Sequence, residues 1–153
     1  MGVRNCAELG ENLRKMVNRL ITNDELVNLL YYQDEDPLSH AYLSKEVKQK
    51  EIFEKLVKTV PHIGTKDTAN SVVVLYVQKA SKISGNKEFR NVKVLVDVVV
   101  PLTQWFIKDT NFRPFAILGK IQDSLDGKTI NGLGKISGGD FELNFVTDDV
   151  ICY

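Results

Sequence analysis

The sequence predicts an α+β fold, with a largely antiparallel or mixed sheet flanked by helices and an N-terminal helical region in front of it. Three observations predict it. In NVKVLVDVVVP, residues 91–101, Val92, Val94, Val96, Val98 and Val100 fall on every second position, which puts five β-branched side chains on one face of a strand. Lys93, Leu95, Asp97 and Val99 make the other face part wet and part apolar, as in an antiparallel strand with one side on a core. Helical spacing of apolar residues both before and after this strand supplies the α component.

From Asn5 to Ile21, Leu9, Leu13, Met16, Val17, Leu20 and Ile21 recur at helical intervals with charged residues between them, predicting an amphipathic first helix. Thr22 followed by Asn23, Asp24 and Glu25 matches a capping box, so a short second helix is expected through Leu26, Leu29 and Leu30, ending at Tyr31 and Tyr32. The segment Gln33-Asp34-Glu35-Asp36-Pro37 reads as a surface loop, since adjacent carboxylates repel and proline disfavours a helical residue before it. A third helix is expected over Ser44 to Lys58, stopped by Pro61 and Gly64. Ser71 to Lys79 reads as a strand buried on both faces, and the polar link Ser81 to Glu88, with Gly85 and Asn86, as the hairpin to the valine strand. Asn111, Arg113 and Pro114 announce a helix whose apolar side is Phe115, Ile117, Leu118, Ile121 and Leu125, closed by Asp126 and Gly127. After a glycine-punctuated connection, a last strand is expected over Asp140 to Val146, with Phe141, Leu143 and Phe145 pointing inward, continued by a second pulse from Val150 to Tyr153. The expected organisation is one domain over 1–153, mainly helical over 1–60 and strand-strand-helix-strand over 71–153.

Length suffices for one core without covalent staples. The 20 basic and 20 acidic residues cancel, which argues against binding nucleic acid through bulk charge but leaves room for a local basic face. Cys6 and Cys152 have no metal-ligand spacing and no secretory segment ahead of them, so buried free thiols in a reducing cytoplasm are expected. No apolar run approaches a membrane span.

Reactive constellations are poorly represented. His40 and His62 have no context suggesting a base or ligand and read as surface histidines. The stretch Gly127 to Gly139 precedes a strand and lacks a terminal Lys-Ser/Thr pair, so turns explain it better than a phosphate cradle. Asp34, Glu35 and Asp36 with Asp148 and Asp149 lack the alternation and central glycine of a calcium loop. Asp97 reads as a strand residue on the wet face, or alternatively as one half of an ion pair with a neighbouring subunit. Trp105 and Phe106 read as core closure or as an exposed patch for a partner. Lys79, Lys82, Lys87, Arg90 and Lys93 cluster around the hairpin, where lysines ordinarily blunt a strand edge; the alternative is a subunit-contact or lumen element touching phosphate. No cofactor or metal site and no enzymatic activity are expected.

The segments VKVLVDVVVP, RPFAILGKIQDSL and GGDFELNFVTDDVICY resemble, in pattern, the tail-terminator and neck family of head-tail joining proteins of long-tailed bacteriophages. The similarity covers about the C-terminal two-fifths of the chain, more loosely the strand at Val72 to Val77, and does not extend to the helical front. It implies a non-enzymatic virion protein made in the bacterial host cytoplasm, a homo-oligomeric ring, commonly a hexamer, capping the tail tube and meeting the head-side connector or stopper protein. It brings no catalytic residues and no membrane contact. A passing double-stranded DNA would favour mild positive charge on such a ring's lumen. A stopper or adaptor of the same neck is the nearest alternative. A cellular oligomeric adaptor is another, as is a small enzymatic or ligand-binding domain with a pocket formed by Trp105, Tyr76 and the acidic loop.

Overall fold

The computed structural model describes the backbone at residues 2–3, 7–60, 70–109, 111–142, 144–147 and 150–152, and the side chains of these except at 2–3, 86–90, 144–147 and 150–152. The expected positions of Cys6, His62, Pro61, Gly64, Leu143, Asp148, Asp149 and Tyr153 lie outside the described residues, as do the side chains of Lys87, Arg90, Phe145 and Cys152.

Helices α1 (Glu8–Ile21) and α2 (Asp24–Tyr31) form the front, as their periodicity predicts. Met16, Val17, Leu20 and Ile21 of α1 and Leu26, Val27, Leu29 and Leu30 of α2 are buried. The cap between them differs from expectation. The Thr22 hydroxyl donates back to Arg19 O at 2.7 Å, closing α1, and it is Asn23 Oδ1 that accepts from Leu26 N at 3.1 Å to start α2. Asparagine is as good a cap as threonine and sits one residue nearer the orphan N–H groups.

The expected third helix is largely replaced. Helix α3 (Lys45–Val47) is a single turn capped by Ser44, widens into a π-type turn over Lys48–Ile52, and gives way to β2 (Val57–Lys58). Val57 and Lys58 pair in parallel with Val73 and Val74, and Val73 N donates to Leu56 O at 2.7 Å. Ladder bonds and complete burial of Val57 outweigh a helical preference that was uneven to begin with.

The sheet is built on β3 (Val72–Ile83) and β4 (Asn86–Pro101), joined at Ser84-Gly85, where Gly85 takes φ of 79°. Both strands are longer than the sequence suggested. Only Val72 to Leu75 is buried on both faces; the rest of β3 is half-buried or exposed. The ladder pairs Val73 with Val98, Leu75 with Val96 and Val77 with Val94 on one face, and Val72 with Val99, Val74 with Asp97 and Tyr76 with Leu95 on the other. The even-numbered valines therefore share a face, and Val94, Val96, Val98 and Val100 contribute to the core with α1, α2 and α4 (Arg113–Leu125). In α4 the inward side is Ile117, Ile121 and Leu125, at intervals of four; Phe115, expected on that side, is exposed.

Strand β1 (Gly2–Val3) and the pair β9 (Asn144–Thr147) and β10 (Val150–Cys152) complete a six-stranded sheet with path β2-β3-β4-β10-β9, β1 joining β4 at Asn91 and Arg90. β10 runs antiparallel to both β4 and β9, so the second pulse reverses the chain where simple continuation was expected. Phe141 precedes β9 and is exposed instead of pointing inward. Two small hairpins, β5 (Phe106–Ile107) with β6 (Asn111–Phe112) and β7 (Thr129–Ile130) with β8 (Gly134–Lys135), flank α4. The mixed sheet under helices is the expected α+β architecture.

Candidate interaction surface

Arg113, at the first turn of α4, is fully buried. Its Nε donates to Gln104 O at 2.8 Å, Nη1 to Leu29 O at 2.6 Å and Tyr32 O at 2.7 Å, and Nη2 to Asp34 O. Leu29 and Tyr32 belong to the C-terminal end of α2, where carbonyls lack helical partners and the helix dipole is negative, so one guanidinium fork closes α2 and anchors the acidic loop behind it. Burial pushes the guanidinium below its ordinary value and the charge of Asp34 opposes the shift. Nothing in the sequence distinguishes this arginine from a surface residue beside a proline.

The loop so anchored is more ordered than its charge suggests. His40 stacks on Tyr32 with ring centroids 4.0 Å apart, and its Nε2 lies 2.7 Å from Asp34 Oδ2. Burial works against the Asp34 carboxylate, but the Asp36 backbone N–H, 2.9 Å from Asp34 Oδ1, and the hydrogen bond and charge of His40 hold it below its usual range. The loop is also fastened to the turn after β5: Lys108 N donates to Glu35 O at 2.6 Å and Lys108 Nζ lies 2.9 Å from Asp36 Oδ2. His40 is thus at the surface, as expected, but has two partners that its sequence context did not reveal.

Beside Lys108 stands an exposed aromatic cluster. Phe106 is 63% exposed, Phe112 38% and Phe115 47%; the 106 and 112 ring centroids are 5.6 Å apart and those of 112 and 115 are 6.1 Å apart. Such clusters mark contact sites more often than single exposed residues do. The two sequence readings of Trp105 and Phe106 divide between the residues: Trp105 packs against the core and Phe106 faces out.

The basic hairpin is real but does not form one patch. Lys79 is directly opposite Lys93, and Lys82 opposite Arg90; Lys79 and Lys82, three residues apart, lie on opposite faces of the ribbon. Lys79, Lys82 and Lys93 are exposed. Beyond the pair of Ala80 with buried Val92, the ribbon continues for about 10 Å at strand rise, with β1 alongside β4 at Arg90 and Asn91. Lys87 lies within it, beside the turn. Asp97 is on the face of Lys93, but its setting is drier than the wet strand face expected: burial raises its carboxyl above the ordinary range, and the Tyr76 hydroxyl bonding to it opposes this.

Tyr76 is therefore committed to Asp97 on one side of the sheet while Trp105 packs on the core side, and neither lines the cleft beside the acidic loop. That cleft, of about 870 Å³, is open and bounded by Tyr31, Tyr32, Asp34, Glu54, Lys55 and Lys58 among others. Among the described residues, no group of three or more His, Cys, Asp or Glu is arranged to hold a metal ion, and no helix is long and apolar enough to cross a membrane.

A family model described as YomW matches residues 23–149, from the cap of α2 through β9. The chain belongs to the YomW family. This family is phage-associated, which agrees with the resemblance at the coarse level of a phage-related protein. The YomW match takes in the acidic loop, the basic ribbon, Arg113 and the aromatic cluster, and so reaches well into the helical front that the resemblance leaves aside. No curated protein and no solved structure matches the chain.

Proposed function

We propose that this YomW-family chain is a non-enzymatic structural protein of the phage particle, a tail terminator whose copies form a ring that caps the tail tube and meets the head-side connector. The observation that carries the reading is the β3–β4 ribbon: an arm with five basic residues and one acidic residue between Lys79 and Lys93, whose tip runs about 10 Å past buried Val92 and its partner Ala80. An arm of that kind suits a ring lumen or subunit contact, because a passing DNA duplex is favoured by mild, sequence-independent positive charge. The aromatic cluster of Phe106, Phe112 and Phe115 supplies a second, chemically different face, which head-to-tail assembly requires.

The test is an image of particles carrying a labelled copy of the chain, together with charge reversal at Lys82 and Lys87. Label at the head-proximal end of the tail tube and impaired joining or genome delivery in the reversed variant are expected. Label on the head side of the joint would make the chain a stopper or adaptor. Absence of label from the particle, or normal assembly and delivery by the variant, would overturn the reading.

A further inference from the structure

The aromatic cluster is too small to hold a partner alone. Taking about 200 Å² per side chain, its three rings expose about 300 Å² at the fractions above, against about 800 Å² per partner in a specific interface. Its occupant must therefore also use the surroundings. These are rich in acids: Asp34, Glu35 and Asp36 are tied to the cluster's base through Lys108 and Arg113, with the Asp34 carboxylate beside His40 and that of Asp36 paired with Lys108, and Asp109 follows Lys108 in sequence. Asp109 also holds a left-handed φ of 65° in the turn between β5 and β6, fixing the chain at the rim. The ideal occupant is an extended basic segment with apolar side chains. The chain itself carries one, since the ribbon from Lys79 to Lys93 combines its basic residues with Ile83 and Phe89. With 20 acids balancing 20 bases overall, the separation of a basic arm from an acid-rimmed aromatic patch leaves two unlike surfaces of opposite charge on one molecule.

We infer that the β3–β4 ribbon of one copy docks on the Phe106-Phe112-Phe115 cluster of the next, the ribbon face that carries Lys82 meeting the Asp34-Glu35-Asp36 rim and the exposed ring faces. Lysine over a phenylalanine face adds a cation–π contribution to the charge pairing, and opposite potentials fix the direction of docking. The contact is heterologous, so it propagates around a ring when the rotation closes. It rests on the reading of the chain as a self-assembling subunit and names the two surfaces that join.

The experiment places a photoreactive benzoylphenylalanine at position 106 in a mixture of light and heavy-nitrogen-labelled chains, irradiated both as the purified protein at millimolar concentration and in assembled particles. Mixed-label cross-links from position 106 to the peptide 79–93 are expected. Glu35→Lys alone, and Lys82→Glu with Lys87→Glu, should each lower their yield severalfold, and the three together should restore it. Circular dichroism of each variant guards against unfolding, and a Phe106→Ser chain, altered only at an exposed position, should lose self-association while keeping its spectrum. Cross-links to any other segment or protein, or none in either sample, overturn the docking. If the label still marks the tail end of the particle in that case, the structural role stands and only this contact falls.

Discussion

Replacing Arg113 by methionine should destabilise the fold more than any surface change near the proposed interface. The guanidinium serves four carbonyls, and they differ in what replaces it. Tyr32 is half-buried and Asp34 exposed, so water can take over there. The bonds to Leu29 O and Gln104 O are buried, and each such acceptor left unpaired costs about 1–3 kcal/mol. Two of them give about 4 kcal/mol, partly offset by the released desolvation of the charge and partly increased by the cavity beside the shorter side chain. Against a total of about 5–15 kcal/mol for a domain, the variant should remain folded but marginal. In urea, with a slope of about 2 kcal/mol per molar, the midpoint should fall by about 2 M. Arg113→Lys keeps the charge but reaches fewer carbonyls and should lie between the two. The loss should be insensitive to added salt, because the network is shielded from solvent ions. A midpoint shift below about 0.5 M for the methionine variant, or one that salt abolishes, would refute the assignment of Arg113 as the clamp on α2.

Lys79 and Lys93 face each other across the ladder, and like charges so placed destabilise; Lys79→Glu should raise stability of the dilute monomer by about 0.5 kcal/mol, read from urea unfolding, and the gain should shrink in high salt. Gly132 takes φ of 87°, and a Cβ there would stand 3.0 Å from Asn12 Oδ1, so Gly132→Ala should cost about 1–3 kcal/mol and lower the thermal midpoint. Asp97, with its carboxyl raised by burial, binds its proton more tightly folded than unfolded, so its contribution declines as pH rises from the ordinary aspartate range through the raised value. Asp97→Asn should flatten that decline and be the more stable protein at neutral pH in pH-resolved denaturation; an unchanged profile would remove burial as the cause.

Periodicity carried most of the fold. The period-two valines placed β4 and its inward face, and the 3.6-residue spacing placed α1, α2 and α4, because burial of one side selects these patterns directly. What failed has a common physical cause, namely that the deciding partner is distant in sequence. Val57 and Lys58 look helical until β3 offers them a ladder. Arg113 looks solvated until the ends of α2 and the turn at Gln104 surround it. Phe115 sits among helix apolar positions, yet its contact is with Phe112, itself exposed. Of the candidate site, the basic ribbon was legible from composition, whereas its division between two faces required the register. The aromatic cluster was visible only as a doubt over Trp105 and Phe106, since three rings contributed by two short strands and a helix share no sequence period.

The strand path places β10 between β4 and β9, so β9 owes its place in the sheet entirely to residues that follow it in the chain. Loss of Val150 to Cys152 would therefore remove two strands, not one, and leave a long stretch of the β4 margin without neighbours. During synthesis the same order makes the sheet incomplete until Val150 to Cys152 emerge, and β9 and β10 enter as an antiparallel pair.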